Sequence, residues 1–94
     1  MNDVLTIRNY VKEIKMNNLE KYNLSFMDSF SIDESVLGDE LLYNTIPEWD
    51  SIGHMELIAK IEEAFDILLE TDDIIDLSSY KKGIELLEKY GVKC

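Results

Sequence analysis

The sequence predicts an all-α protein, a small four-helix bundle of three longer helices and one short one with a long loop after the first, and three observations predict it. Apolar residues recur at steps of three and four over most of the chain. Strand-like alternation of apolar and polar residues is absent over any useful length, and four glycines with one proline leave few breaks. The third observation is size. A chain of 94 residues with 46% hydrophobic side chains can build one compact core and has no room for a second, so residues 1–94 read as a single domain.

Val4, Ile7, Val11 and Ile14 predict a first helix over about residues 3–16, with Asn2 or Asp3 as its cap and Asn17 and Asn18 ending it. Residues 19–50 scatter Leu24, Phe26, Phe30, Ile32 and Leu41 among Ser, Asp, Gly38 and Pro47, which predicts a long packed connection. A structureless loop of that length is uncommon in a compact domain, so one or two helical turns are expected inside it, near 34–43. The pattern is strongest from Ser51 to about Leu68. There Leu57, Ile58, Ile61, Ala64, Phe65 and Leu68 fall on one arc, read as core, and Ile52, Met55, Glu56, Ala59, Glu62 and Glu63 on the opposite one. Thr71 to Ile75 reads as a short helix capped by Thr71, with Asp72 and Asp73 where carboxylates favour the helix dipole. Ser78 is expected to cap a last helix carrying Tyr80, Ile84, Leu87 and Tyr90, which Gly91 ends.

Nine Lys plus Arg against twenty Asp plus Glu give a net charge of −11. Such a surface is repelled by phosphate backbones and anionic lipid, so the expected partner is a basic protein face, with no nucleic acid and no membrane. No run approaches the roughly eighteen apolar residues that span a bilayer. Cys94 is the only cysteine and no charged, apolar leader opens the chain, so a cytoplasmic protein is expected. The catalytic inventory argues against an enzyme: His54 is the only histidine, and there is no glycine-rich phosphate loop. No metal site is expected. The best calcium loop starts at Asp33 but carries Leu37 where an oxygen ligand is needed and ends on Asn44 instead of glutamate. His54 and Cys94 alone make no zinc ligand set.

The informative stretch runs from Ile46 to Leu57, where Pro47 and Trp49 precede a serine that begins the strongest helix. A hydroxyl at a helix N-terminus lies beside unpaired backbone N–H groups and the positive end of the dipole, which favours a phosphodiester at Ser51. The competing reading is that Asp50 or Ser51 only caps the helix. His54, on the core-facing side of the first turn, is expected to be a packed or loop-bonded neutral imidazole. Trp49 either anchors the loop against the helix ends or lies exposed beside Ser51.

Asp50-Ser51-Ile52 opening a helix, followed by Glu56-Leu57-Ile58, by Ile61-Glu62-Glu63-Ala64-Phe65, by a short helix at Asp72 to Ile75 and by a last helix after Ser78, resembles the signature of acyl and peptidyl carrier proteins. The resemblance covers essentially the whole chain, the first helix and long loop matching in pattern only. The run from Trp49 to Met55 looks most like discrete carriers of specialised pathways. The resemblance implies a bundle of acyl-carrier type with 4′-phosphopantetheine attached covalently to Ser51. A separate phosphopantetheinyl transferase would supply the group from coenzyme A, with Asp50 presenting the serine to that enzyme and its magnesium.

The implied function is carriage of fatty acyl, polyketide or aminoacyl intermediates as thioesters. The carrier itself catalyses nothing and suits a monomer that meets a loading ligase or acyltransferase and then downstream pathway enzymes. Ile52, Met55, Glu56, Ala59, Glu62 and Glu63 become a docking face, and some of Leu57, Ile61, Phe65 and Ile74 would line a space for a short acyl chain. Ile52 and Gly53 depart from many fatty acid synthesis carriers, which have leucine and then an acidic residue. Gly53 is read as removing one docking charge and loosening the first turn. Lys60 interrupts the acidic face at its edge. The alternative from another class is an acidic helical adaptor without a prosthetic group.

Overall fold

A computed structural model describes residues 16–94, so the helix expected over 3–16 lies, but for Met16, outside the described residues. Four α-helices lie among them: α1 Asn18–Phe30, α2 Ser51–Phe65, α3 Thr71–Asp76 and α4 Tyr80–Glu88, with one 3₁₀ turn at Glu34–Val36. The described residues contain no strand; Leu42 and Ser79 form one isolated antiparallel bridge. The described residues agree with the all-α class, and no described helix is long and apolar enough to cross a membrane.

α1 corrects the expectation of a connection over 19–50. Asn17 starts a helix here: its side chain accepts from the Glu20 N–H at 2.8 Å while the Glu20 carboxylate accepts from the Asn17 N–H at 3.0 Å, a complete capping box. Tyr22, Phe26 and Phe30 follow at four-residue steps and are all buried, so one face of α1 is an aromatic stripe. That stripe packs on α2, and Trp49 closes the cluster, meeting the Phe26 ring edge-on with centroids 5.4 Å apart. Ser31 ends the helix in the left-handed conformation at φ 53°. Of the turns expected near 34–43, the 3₁₀ turn is present, its Asp33 cap accepting from the Ser35 N–H at 3.1 Å and the Ser35 hydroxyl at 2.7 Å.

α2 buries Leu57, Ile58 and Ile61 as its spacing predicts, but it stops at Phe65 because Asp66 turns left-handed at φ 54°. The chain is redirected there, so Leu68 does not join the core arc; it is 82% exposed. Two caps also shift by one residue. Glu70, without a side-chain cap bond, precedes α3 in place of Thr71, and Ser79, not Ser78, caps α4, its Oγ accepting from the Lys82 N–H at 2.9 Å. Gly91 does end the C-terminal turn: its φ is 81°, its N–H reaches the Glu88 carbonyl at 3.1 Å, and the Val92 N–H reaches that of Leu87 at 3.0 Å. α4 lies close against α1 at Gly83, where an added Cβ would stand 2.1 Å from the Tyr22 hydroxyl. That hydroxyl donates to the Tyr80 carbonyl at 2.6 Å.

Candidate functional site

The segment before α2 is wound tightly enough to fix where Ser51 sits. Asn44 takes a left-handed φ of 69° and its N–H bonds the Trp49 carbonyl at 3.0 Å, while the Trp49 N–H bonds the Ile46 carbonyl at 3.1 Å. Trp49 is fully buried, so it anchors the loop and is not a contact for partners. Asp50 then caps the helix: its Oδ1 accepts from the Gly53 N–H at 2.9 Å. Capping is thus the work of Asp50, and Ser51 is free of it. Ser51 occupies the first helical position, exposed, and its hydroxyl has no hydrogen-bond partner among the described residues.

Gly53 corrects the reading of a loosened turn. It is buried, and a Cβ there would lie 1.9 Å from the Glu48 carbonyl oxygen and 3.2 Å from the Phe30 ring. Glycine lets the loop backbone press against the helix, so its role is close packing and the turn is tightened by it. His54 completes the underside. The Trp49 indole N–H donates to its Nδ1 at 3.0 Å and its Nε2 lies 2.8 Å from the Ile74 carbonyl of α3. An indole can only donate and a carbonyl only accept, so these partners assign Nδ1 as the bare nitrogen and Nε2 as the N–H. The expected loop-bonded, neutral histidine is what this pairing requires.

The opposite face of α2 is open. Ile52 is 72% and Met55 55% exposed, and Glu56, Ala59, Lys60 and Glu63 are exposed beside them. Glu62 differs: it is half-buried and its Oε2 accepts from the Leu69 N–H at 2.9 Å, tying the α2–α3 loop. A cleft of about 380 Å³ opens next to Ser51. Tyr43, Met55, Ile74, Ile75 and Leu77 make its apolar wall, and Ser51, His54 and Ser78 complete it. Sequence patterning names Ser51, Met55, His54, Ile74, Ile75 and Ser78 of this set in separate roles; Tyr43 and Leu77 it does not name, and only the fold brings them all to one cleft. Leu57 and Ile61 are fully buried away from this cleft, and Phe65 is half-buried.

The far wall, α3, is tied to the turn that follows α4. Asp73 is 3% exposed and accepts from the Lys89 ammonium at 2.6 Å and the Tyr90 hydroxyl at 2.5 Å. The bond from Lys89, and then that from Tyr90, hold its carboxyl below the ordinary value of 3.8. The same contacts push Lys89 and Tyr90 upward, led in each case by the bond to Asp73. Among the described residues no group of three or more His, Cys, Asp or Glu side chains could hold a metal ion. No family model, no curated protein and no solved structure matches the chain.

Proposed function

We propose that the protein is a discrete acyl or aminoacyl carrier whose Ser51 bears 4′-phosphopantetheine. The observation that carries this reading is the division of labour at the start of α2. Asp50 satisfies the helix end, leaving the exposed Ser51 hydroxyl unused beside an apolar cleft. With Asp50 as the cap, the Ser51 hydroxyl is not needed to start the helix.

The residues fit such a group chemically. Ser51 Oγ is a hydroxyl open to solvent, the bond to be made there is a phosphodiester, and the N-terminus of α2 favours its negative charge. When bound, the group supplies a terminal thiol for thioester formation. The chain's own residues hold that arm on a rigid helix: Asp50 fixes the turn, Gly53 and Trp49 brace it from below, and the cleft offers apolar walls to a cargo. Ile52 and Met55, flanked by Glu56 and Glu63, suit brief docking on basic, apolar enzyme surfaces, where charge sets the encounter rate and methionine adapts to several shapes.

Incubation with a phosphopantetheinyl transferase and coenzyme A, followed by intact-mass measurement, tests the reading. The expected result is one adduct on the wild type and none on Ser51→Ala. No adduct on the wild type, or one that persists in Ser51→Ala, returns the protein to the class of acidic adaptors without a prosthetic group.

A further inference from the structure

α3 is held in a different way from the rest of the molecule. Of its six residues only Asp73 is buried and Ile74 half-buried, while Ile75 on the cleft side is 72% exposed. Within the helix only Ile74 packs on the core, although Leu69 and Leu77 on its two sides are buried, and a segment with so few buried apolar contacts of its own opens at a lower free energy than a packed core. The ties on its two flanks are unequal. On the α4 side Asp73 receives an ammonium and a phenol, and bonds to an ionised carboxylate are about twice as strong as neutral ones. On the α2 side the tie is one neutral bond, from His54 Nε2–H to the Ile74 carbonyl. That carbonyl lies in the last turn of α3, where the helix supplies no amide donor of its own.

We infer that His54 is the positioning residue that latches α3 over the cleft beside Ser51, with Asp73 as the hinge. When the latch parts, Ile74 and Ile75 swing from Met55 about the Asp73 contacts and the cleft widens; when it closes, the cleft narrows. Trp49 supports the latch. Its buried indole N–H takes Nδ1 as acceptor, which obliges Nε2 to carry the proton that reaches Ile74. The two rings lie within 14° of parallel and are joined edge to edge by that bond, so the imidazole cannot turn without breaking its contact with a fully buried neighbour. The latch belongs to the unmodified protein and does not depend on a group at Ser51, so it stands or falls separately from the carrier reading.

Amide hydrogen exchange by NMR on the unmodified chain tests it with two variants. His54→Gln retains one acceptor and one donor; His54→Phe retains a flat ring and loses both. In His54→Phe the α3 amides, with Leu77 as reporter, are expected to exchange at least about tenfold faster, while those around Phe26 and Leu87 stay within about threefold of wild type. His54→Gln should remain near wild type at all of them. Unchanged α3 exchange in a folded His54→Phe protein, or His54→Gln matching His54→Phe, overturns the latch. Should His54→Phe fail to fold, the wild type decides through its imidazole ¹⁵N shifts and its single indole N–H signal. A protonated Nε2 with a slowly exchanging indole is expected, and a protonated Nδ1 overturns the proposal.

Discussion

On the inward side of the first turn of α2, Gly53 has no room for a methyl group and both ring nitrogens of His54 are hydrogen-bonded; on the outward side, the Ser51 hydroxyl has no partner among the described residues and Ile52 and Met55 face solvent. The two sides lie within five residues of each other and share one backbone, so the difference is not one of local flexibility. Folding dictates the inward side atom by atom. It asks almost nothing of the outward side, where an isoleucine and a methionine contribute little to the core. Large apolar side chains exposed beside the Ser51 hydroxyl fit the docking face that the carrier proposal calls for.

The comparison can be broken from either side. The largest effect is expected for Gly53→Ala, where the new methyl must displace the Glu48 carbonyl and the loop with it. About 2 to 3 kcal/mol of stability should be lost in a urea titration, and a near-neutral result would mean that the loop yields easily. Asp50→Ala removes the cap bond to Gly53 and should cost about 1 kcal/mol, most of it recovered in Asp50→Asn. Asp73→Asn extends the contrast to α3 and adds pH. Because the folded carboxyl titrates below its ordinary 3.8, its stabilisation is present above that pH and is lost as the pH falls through the folded value. Thermal melts should therefore separate Asp73→Asn from wild type at neutral pH and converge in acid. On the outward side, Ile52→Ala with Met55→Ala should change stability by less than about 0.5 kcal/mol and, under the carrier proposal, slow modification of Ser51 by a phosphopantetheinyl transferase. Smallest of all, Ser51→Ala should leave the melting curve in place and, under the carrier proposal, abolish the adduct formed with a phosphopantetheinyl transferase and coenzyme A.

Much of this site could be read from the sequence because α2 announces itself: Asp50 is a common capping residue, and Leu57, Ile58 and Ile61 repeat with helical spacing. α1 carried its signals too, in Asn17 with Glu20 three residues on and in Tyr22, Phe26 and Phe30. They are quieter. One aromatic per turn among Asn23, Ser25, Asp28 and Ser29 makes a narrow stripe, and Asn17-Asn18 reads equally well as the end of a preceding helix. The exposure of Leu68 has no sequence mark, since the left-handed turn at Asp66 uses an ordinary residue where glycine would have signalled it. Nor could Gly53 disclose its purpose: its neighbour is a backbone carbonyl, which has the same chemistry in every residue. The cleft was legible least, because Tyr43, Met55 and Ile75 belong to three separate segments.

The contact between Gly83 and Tyr22 binds two positions sixty-one residues apart into one mutational unit. A methyl at 83 occupies the place of the Tyr22 hydroxyl, so Gly83→Ala should be far better tolerated after Tyr22→Phe than before it. The order of the two changes therefore matters, since the ring carbons left by Tyr22→Phe stand 3.0 and 3.3 Å from the added methyl where the hydroxyl stood at 2.1 Å. What looks like a small gap between two helices is in that sense a constraint on the routes by which the protein can evolve.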